Sequence, residues 1–262
     1  MFTSEDVSWH VLQDATYLLG GMRAVILQLA EPGVAQGVAE HSDFVKDPFG
    51  RAERTLQLMQ TVGLGDPHQA NDAIREMRRA HAVVHGTMPD GAAYYAHDPD
   101  LQLWVLATLI DTVMVVEERY LGRFDDATRR RYYQEARQMA DVFGMENMPE
   151  TLAAFRAYMD ERTEQIEVTD VARSLSRHVL RPRIRFVPKI LLGPLRLMAI
   201  DMLPPPVRAA FDLSITDRQA RWVGRAQAAS RAVIPRLPSK VRRYSLRRTP
   251  VSTAASSNDL TR

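Results

Sequence analysis

The chain has 262 residues, 45% of them hydrophobic and 25% charged, enough to bury the core of one large domain. It contains no cysteine, which excludes disulfides, thiolate nucleophiles, iron–sulfur clusters and thiolate-bound haem or zinc. The net charge is only +2, yet residues 231–262 carry +7 and residues 1–230 carry −5. This asymmetry predicts a folded domain over 1–230 and a basic, disordered tail over 231–262.

Such a tail serves as a solubilising extension or as a weak contact with a membrane surface or a polyanion; a nucleic-acid partner is not expected. The opening MFTSEDVSWH is acidic and polar where a secretory leader would be basic and then apolar. A cytoplasmic location is therefore expected. No run reaches the roughly 18–20 uninterrupted apolar residues of a membrane-spanning helix.

Apolar residues recur with helical spacing along almost the whole chain, and alternating strand patterns are hard to find, so the fold class is all-α in a single multi-helix domain. The first helix is predicted over 8–30, with Ser8 as its N-cap and Pro32 ending it. A short helix follows over 34–42. After the turn DPFG a helix starts at Arg51 and ends at Gly63 and Gly65. Asp66-Pro67 then opens a helix that runs through His81 and His85 to Gly86. Asp98 reads as the N-cap of a strongly apolar, central helix, LQLWVLATLIDTVMVVEERYL. Further helices are predicted over 126–143, 149–165, 170–180 and 216–233. Residues 186–203, broken by prolines and charges, read as a buried or interfacial hairpin.

Chemistry has few places to reside. With seven histidines and no cysteine, the pair His81 and His85, one helical turn apart, is the natural metal candidate. A hydrolytic zinc site is disfavoured, because the intervening residues are Ala82, Val83 and Val84 and the general-base glutamate is missing. One neutral histidine can instead be the axial ligand of a haem iron, with arginines on the propionates. Arg51, Arg54, Arg78 and Arg79 are candidates for that second role. Three readings stand side by side: a haem protein, a non-haem metal protein using His81 and His85 with a further residue such as His97, and a non-enzymatic helical module binding a lipid-like ligand. The plain structural alternative for Thr55 is a hydroxyl bonded back to its own helix. For His41 it is a helix-end hydrogen bond. Gly63 and Gly65 lack a preceding strand and a third glycine, so no dinucleotide site is expected.

The ordered blocks LLGGMRAVILQLAEP, GVAEHSDFVKDPFGRAERT, HAVVHG, YYAHDPDLQLWVLATL, RYYQEA and MPET resemble the MpaB and rubber-oxygenase (latex clearing protein) family across roughly residues 8–215. The resemblance implies an all-α protein that binds haem b and uses dioxygen on an alkene bond of a hydrophobic, isoprenoid or lipid-like molecule. The shared signature is an arginine and a threonine four apart on one helix and a histidine on the next. It falls on Arg51, Thr55 and His81, the histidine placed five residues before Gly86, with His85 as the fallback ligand. Arg54 stands where the rubber-cleaving members have a lysine, and Glu31 and Glu40 are the counterparts on offer for the acid those members use. Polyisoprene itself is thus not the implied substrate.

Overall fold

The computed structural model describes residues 1–42, 48–145, 147–181 and 189–243. The tail from residue 244 and the first part of the segment 186–203 lie outside the described residues. Among the described ones are thirteen α-helices and a single two-stranded hairpin. The helices are α1 (Val7–Gln13), α2 (Gly21–Leu29), α3 (Pro32–His41), α4 (Pro48–Leu64), α5 (Pro67–Ala82), α6 (Pro99–Val116), α7 (Asp126–Phe143), α8 (Leu152–Glu164), α9 (Asp170–Leu180), α10 (Lys189–Met202), α11 (Pro205–Ala210), α12 (Asp217–Val233) and α13 (Ser239–Arg242). Strands β1 (His85–Thr87) and β2 (Ala93–Tyr95) follow α5.

The all-α expectation holds, and several ends fall where their side chains act. Asp66 accepts from Gln69 N at 2.9 Å, Asp98 from Asp100 N at 2.8 Å, and Thr216 forms a reciprocal capping box with Gln219. Each satisfies backbone donors that the first helical turn leaves free.

The single helix expected over 8–30 is instead α1, a 3-10 stretch (Ala15–Gly20) and α2. Asp14 causes the break: its backbone is extended and its carboxylate caps Thr16 N at 2.9 Å. The turn brings Gly20 against α6, where a β-carbon would lie 2.3 Å from Thr112 Cγ2. Ser8 is not the N-cap either. Asp6 precedes α1 without a side-chain cap, and Glu135 of α7 takes the first N–H groups, Val7 N at 3.2 Å and Ser8 N at 2.7 Å. A carboxylate at a helix N-terminus also meets the positive end of its dipole.

Helix α6 lies at the centre. Leu103, Trp104, Leu106, Ala107, Ile110 and Met114 are buried in the main core with Ile26, Leu27, Tyr133 and Phe155, and Trp104 Nε1 donates to Leu27 O at 2.9 Å. The stretch Pro99–Leu121 is long and apolar enough by composition to cross a membrane, but half of its most apolar window is buried inside the protein. Arg23 of α2, 1% exposed, penetrates this core. Its guanidinium donates to Asp111 Oδ2 at 2.5 Å, Thr112 Oγ1 at 2.7 Å and Met202 O at 2.9 Å, and so ties α2, α6 and α10.

Beyond Val116 the helix widens to a π turn, Glu117–Leu121. The Glu117 carboxylate, 1% exposed, accepts from Tyr17 Oη at 2.6 Å and from Arg123 Nη2 at 2.8 Å. Arg123 also reaches Asp14 at 2.7 Å, and Asp14 in turn pairs with Arg242. Chain order is thereby folded back on itself, with an isolated bridge between Asp14 and Arg243 and the Arg243 guanidinium 5.8 Å from the Trp9 ring centre. Helices α12 and α13 carry the described structure to Arg243.

Two further expectations need correction. Residues 189–202 form helix α10 with Pro194 inside it, where a hairpin was expected. An internal proline costs about 3 kcal/mol. The buried Ile200, Met202 and Met198 each return about 1.5–3 kcal/mol, so burial wins. The helix expected to run to Gly86 stops at Ala82, and His85 lies on β1, paired antiparallel with Tyr95. At Gly86 a β-carbon would meet the Tyr94 hydroxyl at 2.7 Å, so the tyrosine ring packs over bare backbone there.

Candidate functional site

The residues singled out from sequence lie on α4, at the end of α5 and on the segment before α6. Helices α4 and α5 pack closely together. Arg51 and Thr55 are one turn apart on α4, and the α4–α5 packing brings Arg51 into the electrostatic field of His81. The His81 ring lies edge-on to His97, with centroids 6.0 Å apart.

His81 is half-buried, and its Nδ1 is buried without a hydrogen-bond partner. Burial chiefly, then the charges of His97 and Arg51, hold its pKa below the ordinary histidine value. The imidazole is thus neutral at pH 7, the form that ligates metals. Arg51 is also half-buried, and no carboxylate pairs with it among the described residues. Burial and the neighbouring Arg54 lower its pKa. A desolvated guanidinium without a counter-ion is costly, and an arriving carboxylate would relieve it.

The remaining candidates divide clearly. Thr55 Oγ1 donates to Arg51 O at 3.1 Å, the back-bond that helical threonines make. Arg54 and Arg79 are exposed, while Arg78 Nη2 donates to Phe143 O at 3.2 Å and so closes the end of α7. His85 is exposed and stacks on Tyr95 at 6.5 Å, so leaving the helix has parted it from His81 in its contacts. His41 Nε2 lies 3.2 Å from both His85 O and Tyr94 Oη, and the Tyr94 hydroxyl donates to Glu40. That network pins α3 to the hairpin, and burial with the Glu40 bond pushes the Tyr94 phenol up to about 12. Glu31 pairs with Arg162 at 2.6 Å, and Arg162 covers the Trp104 ring.

Among the described residues no group of three or more His, Asp or Glu side chains is placed to hold a metal ion. The set His81, His85 and His97 is therefore not assembled. What is brought together, among the described residues, is an imidazole nitrogen and a cation that have no partner there.

Sequence reasoning missed the buried pairs Arg23–Asp111 and Arg123–Glu117. A signal was present: Arg23 and Asp111 are lone charges inside apolar runs, and such charges are buried only when paired.

Comparison with known proteins places this geometry in context. The profile of the ER-bound oxygenase mpaB/B′ and rubber oxygenase catalytic domain matches residues 9–233. The chain belongs to this family. The MpaB/rubber-oxygenase match runs from within α1 to the end of α12, and with it the domain is an oxygenase catalytic domain. Uncharacterised proteins of Mycobacterium tuberculosis and Mycobacterium bovis are each 30% identical over 207 residues, covering 75% of this chain and 80% of their own. No solved structure matches this MpaB/rubber-oxygenase domain.

Proposed function

We propose that the domain is a haem-b-dependent oxygenase that acts with dioxygen on an alkene bond of a hydrophobic, isoprenoid or lipid-like small molecule. The observation that carries the reading is the neutral His81 imidazole, its Nδ1 without a partner, in the field of the unpaired, half-buried Arg51. A porphyrin supplies four nitrogens and two carboxylates of its own, so it asks the protein for one further nitrogen and a cation. The donor set fits that demand better than it fits a bare metal ion, which needs three or four protein ligands.

In this reading His81 would ligate the iron and Arg51 would hold a propionate, with Arg54 at the exposed rim as a second cation. Haem iron supplies the dioxygen chemistry when bound. Thr55 braces Arg51 through its carbonyl, and its hydroxyl oxygen stays free to accept a further hydrogen bond at the site. His97, edge-on to His81, would act as a positioning residue for that ring.

The test is an absorption spectrum with a pyridine haemochrome assay on the full chain and on His81→Ala and His85→Ala. The expected result is about one haem b per chain, lost or spectrally altered in His81→Ala and retained in His85→Ala. A colourless protein that also refuses added haemin overturns the cofactor; haem retained unchanged in His81→Ala overturns the ligand. Oxygen uptake with a panel of alkenes then tests the substrate class.

A further inference from the structure

Helix α12 and the segment after it carry charge of almost one sign. Between residues 217 and 243 there are eight lysines and arginines against Asp217 alone. The inner face of α12 is occupied: Val223 is buried and Gln227 Nε2 donates to Asp201 at 2.9 Å, docking the helix on α10. The outer face carries Arg218, Arg221 and Arg225, all exposed, with Trp222 beside them. Along the helix these positions fall within one sector, because three- and four-residue steps return to the same side.

Apolar groups are set among the charges. Trp222 is 40% exposed, Val233 55%, Leu237 38% and Val241 70%. Four of the large apolar side chains that the protein leaves in water thus sit on this one stretch. No carboxylate among the described residues pairs with Arg218, Arg221, Arg225 or Lys240. The pairing of Arg242 with Asp14 holds α13 against the body, so the stretch is a fixed surface.

We propose that the outer face of α12 to α13 is a docking surface for a bilayer with anionic headgroups. Charge complementarity selects the occupant: unpaired arginines meet lipid phosphates and carboxylates, while Trp222, Val233, Leu237 and Val241 enter the headgroup–acyl boundary. Tryptophan favours that boundary, where its ring is half apolar and its N–H is satisfied. Arg247 and Arg248 extend the same charge along the sequence. The surface is independent of the haem reading and stands or falls separately from it.

The test is flotation of the full chain with phosphatidylcholine vesicles, with and without phosphatidylserine, alongside tryptophan emission. Binding is expected only with phosphatidylserine, with a blue shift that Trp222→Phe abolishes, and release in high salt. Combining Arg218→Gln, Arg221→Gln and Arg225→Gln removes three charges and should weaken partition about a hundredfold, with circular dichroism and melting temperature unchanged. Arg247→Gln with Arg248→Gln should retain most of the binding. The proposal is overturned by equal binding to neutral vesicles, by wild-type binding of the triple variant, or by complete loss in the Arg247/Arg248 variant. Binding to a nucleic-acid duplex without vesicle partition overturns it as well.

Discussion

Among the arginines withdrawn from water in this protein, Arg23 and Arg51 have opposite surroundings. Arg23 has Asp111, Thr112 and the Met202 carbonyl arranged around its guanidinium. Arg51 has burial and a neighbouring cation, with no carboxylate partner among the described residues. The first is a completed contact between three helices. The second is stable only as part of a fold that holds it, and what would complete it is an anion from outside. A charge paired within the chain belongs to the architecture; a charge without a partner among the described residues, at the meeting of α4 and α5, is what the proposed haem site would use.

The comparison breaks first at Arg23. Arg23→Ala empties a buried site and takes the cation from the half-buried Asp111, and should cost about 3–5 kcal/mol, lowering the melting temperature by roughly 6–20 °C. Replacing both partners, Arg23→Met with Asp111→Leu, should recover most of that loss; a single variant that melts within about 1 kcal/mol of wild type contradicts the assignment. Next is Tyr17→Phe, which removes a donor from the buried Glu117 carboxylate. Chemical denaturation should report a loss of about 1.5–3 kcal/mol.

Arg51→Met should do the reverse of Arg23→Ala. Without haem it should stabilise the protein by about 0.5–2 kcal/mol, while haemin titration shows weaker retention. Destabilisation on that substitution would mean that Arg51 is paired after all. The smallest effect belongs to His81. Its folded pKa lies below 6.5, so stability is complete above 6.5 and falls as the pH drops from there toward the folded value, because the unfolded chain takes up the proton first. His81→Gln should flatten that part of the stability profile, measured by denaturant midpoints on either side of 6.5.

Features decided within a few residues were readable in advance. Asp66, Asp98 and Thr216 cap helices because a short acceptor next to an apolar run has one local use. Arg51, Thr55 and His81 were singled out through resemblance, and the back-bond of Thr55 to its own helix is the local alternative its sequence already offered. The nearness of His97 to His81 was not readable, because it arises from the chain returning through the hairpin. Elements settled by distant partners escaped. Ser8 looked like a cap, but Glu135 more than a hundred residues away does the capping. His85 fits a helical spacing from His81, yet the pairing of Gly86 with Tyr94 takes it into a strand. At α10, the burial of Ile200 and Met202 outweighed the proline that argued for a break.

Asp14 receives Arg123 and Arg242, and the second partner is 228 residues away along the chain. During synthesis Asp14 emerges 228 residues before Arg242, so this pairing waits until α1 to α12 have all been made. Until then Asp14 has Arg123 alone, and α1 is free of the Arg243 guanidinium over Trp9. Docking of α13 therefore follows the synthesis of every helix from α1 to α12: a chain cut before Arg242 presents an open N-terminal helix, and one that extends past Arg243 has it fastened.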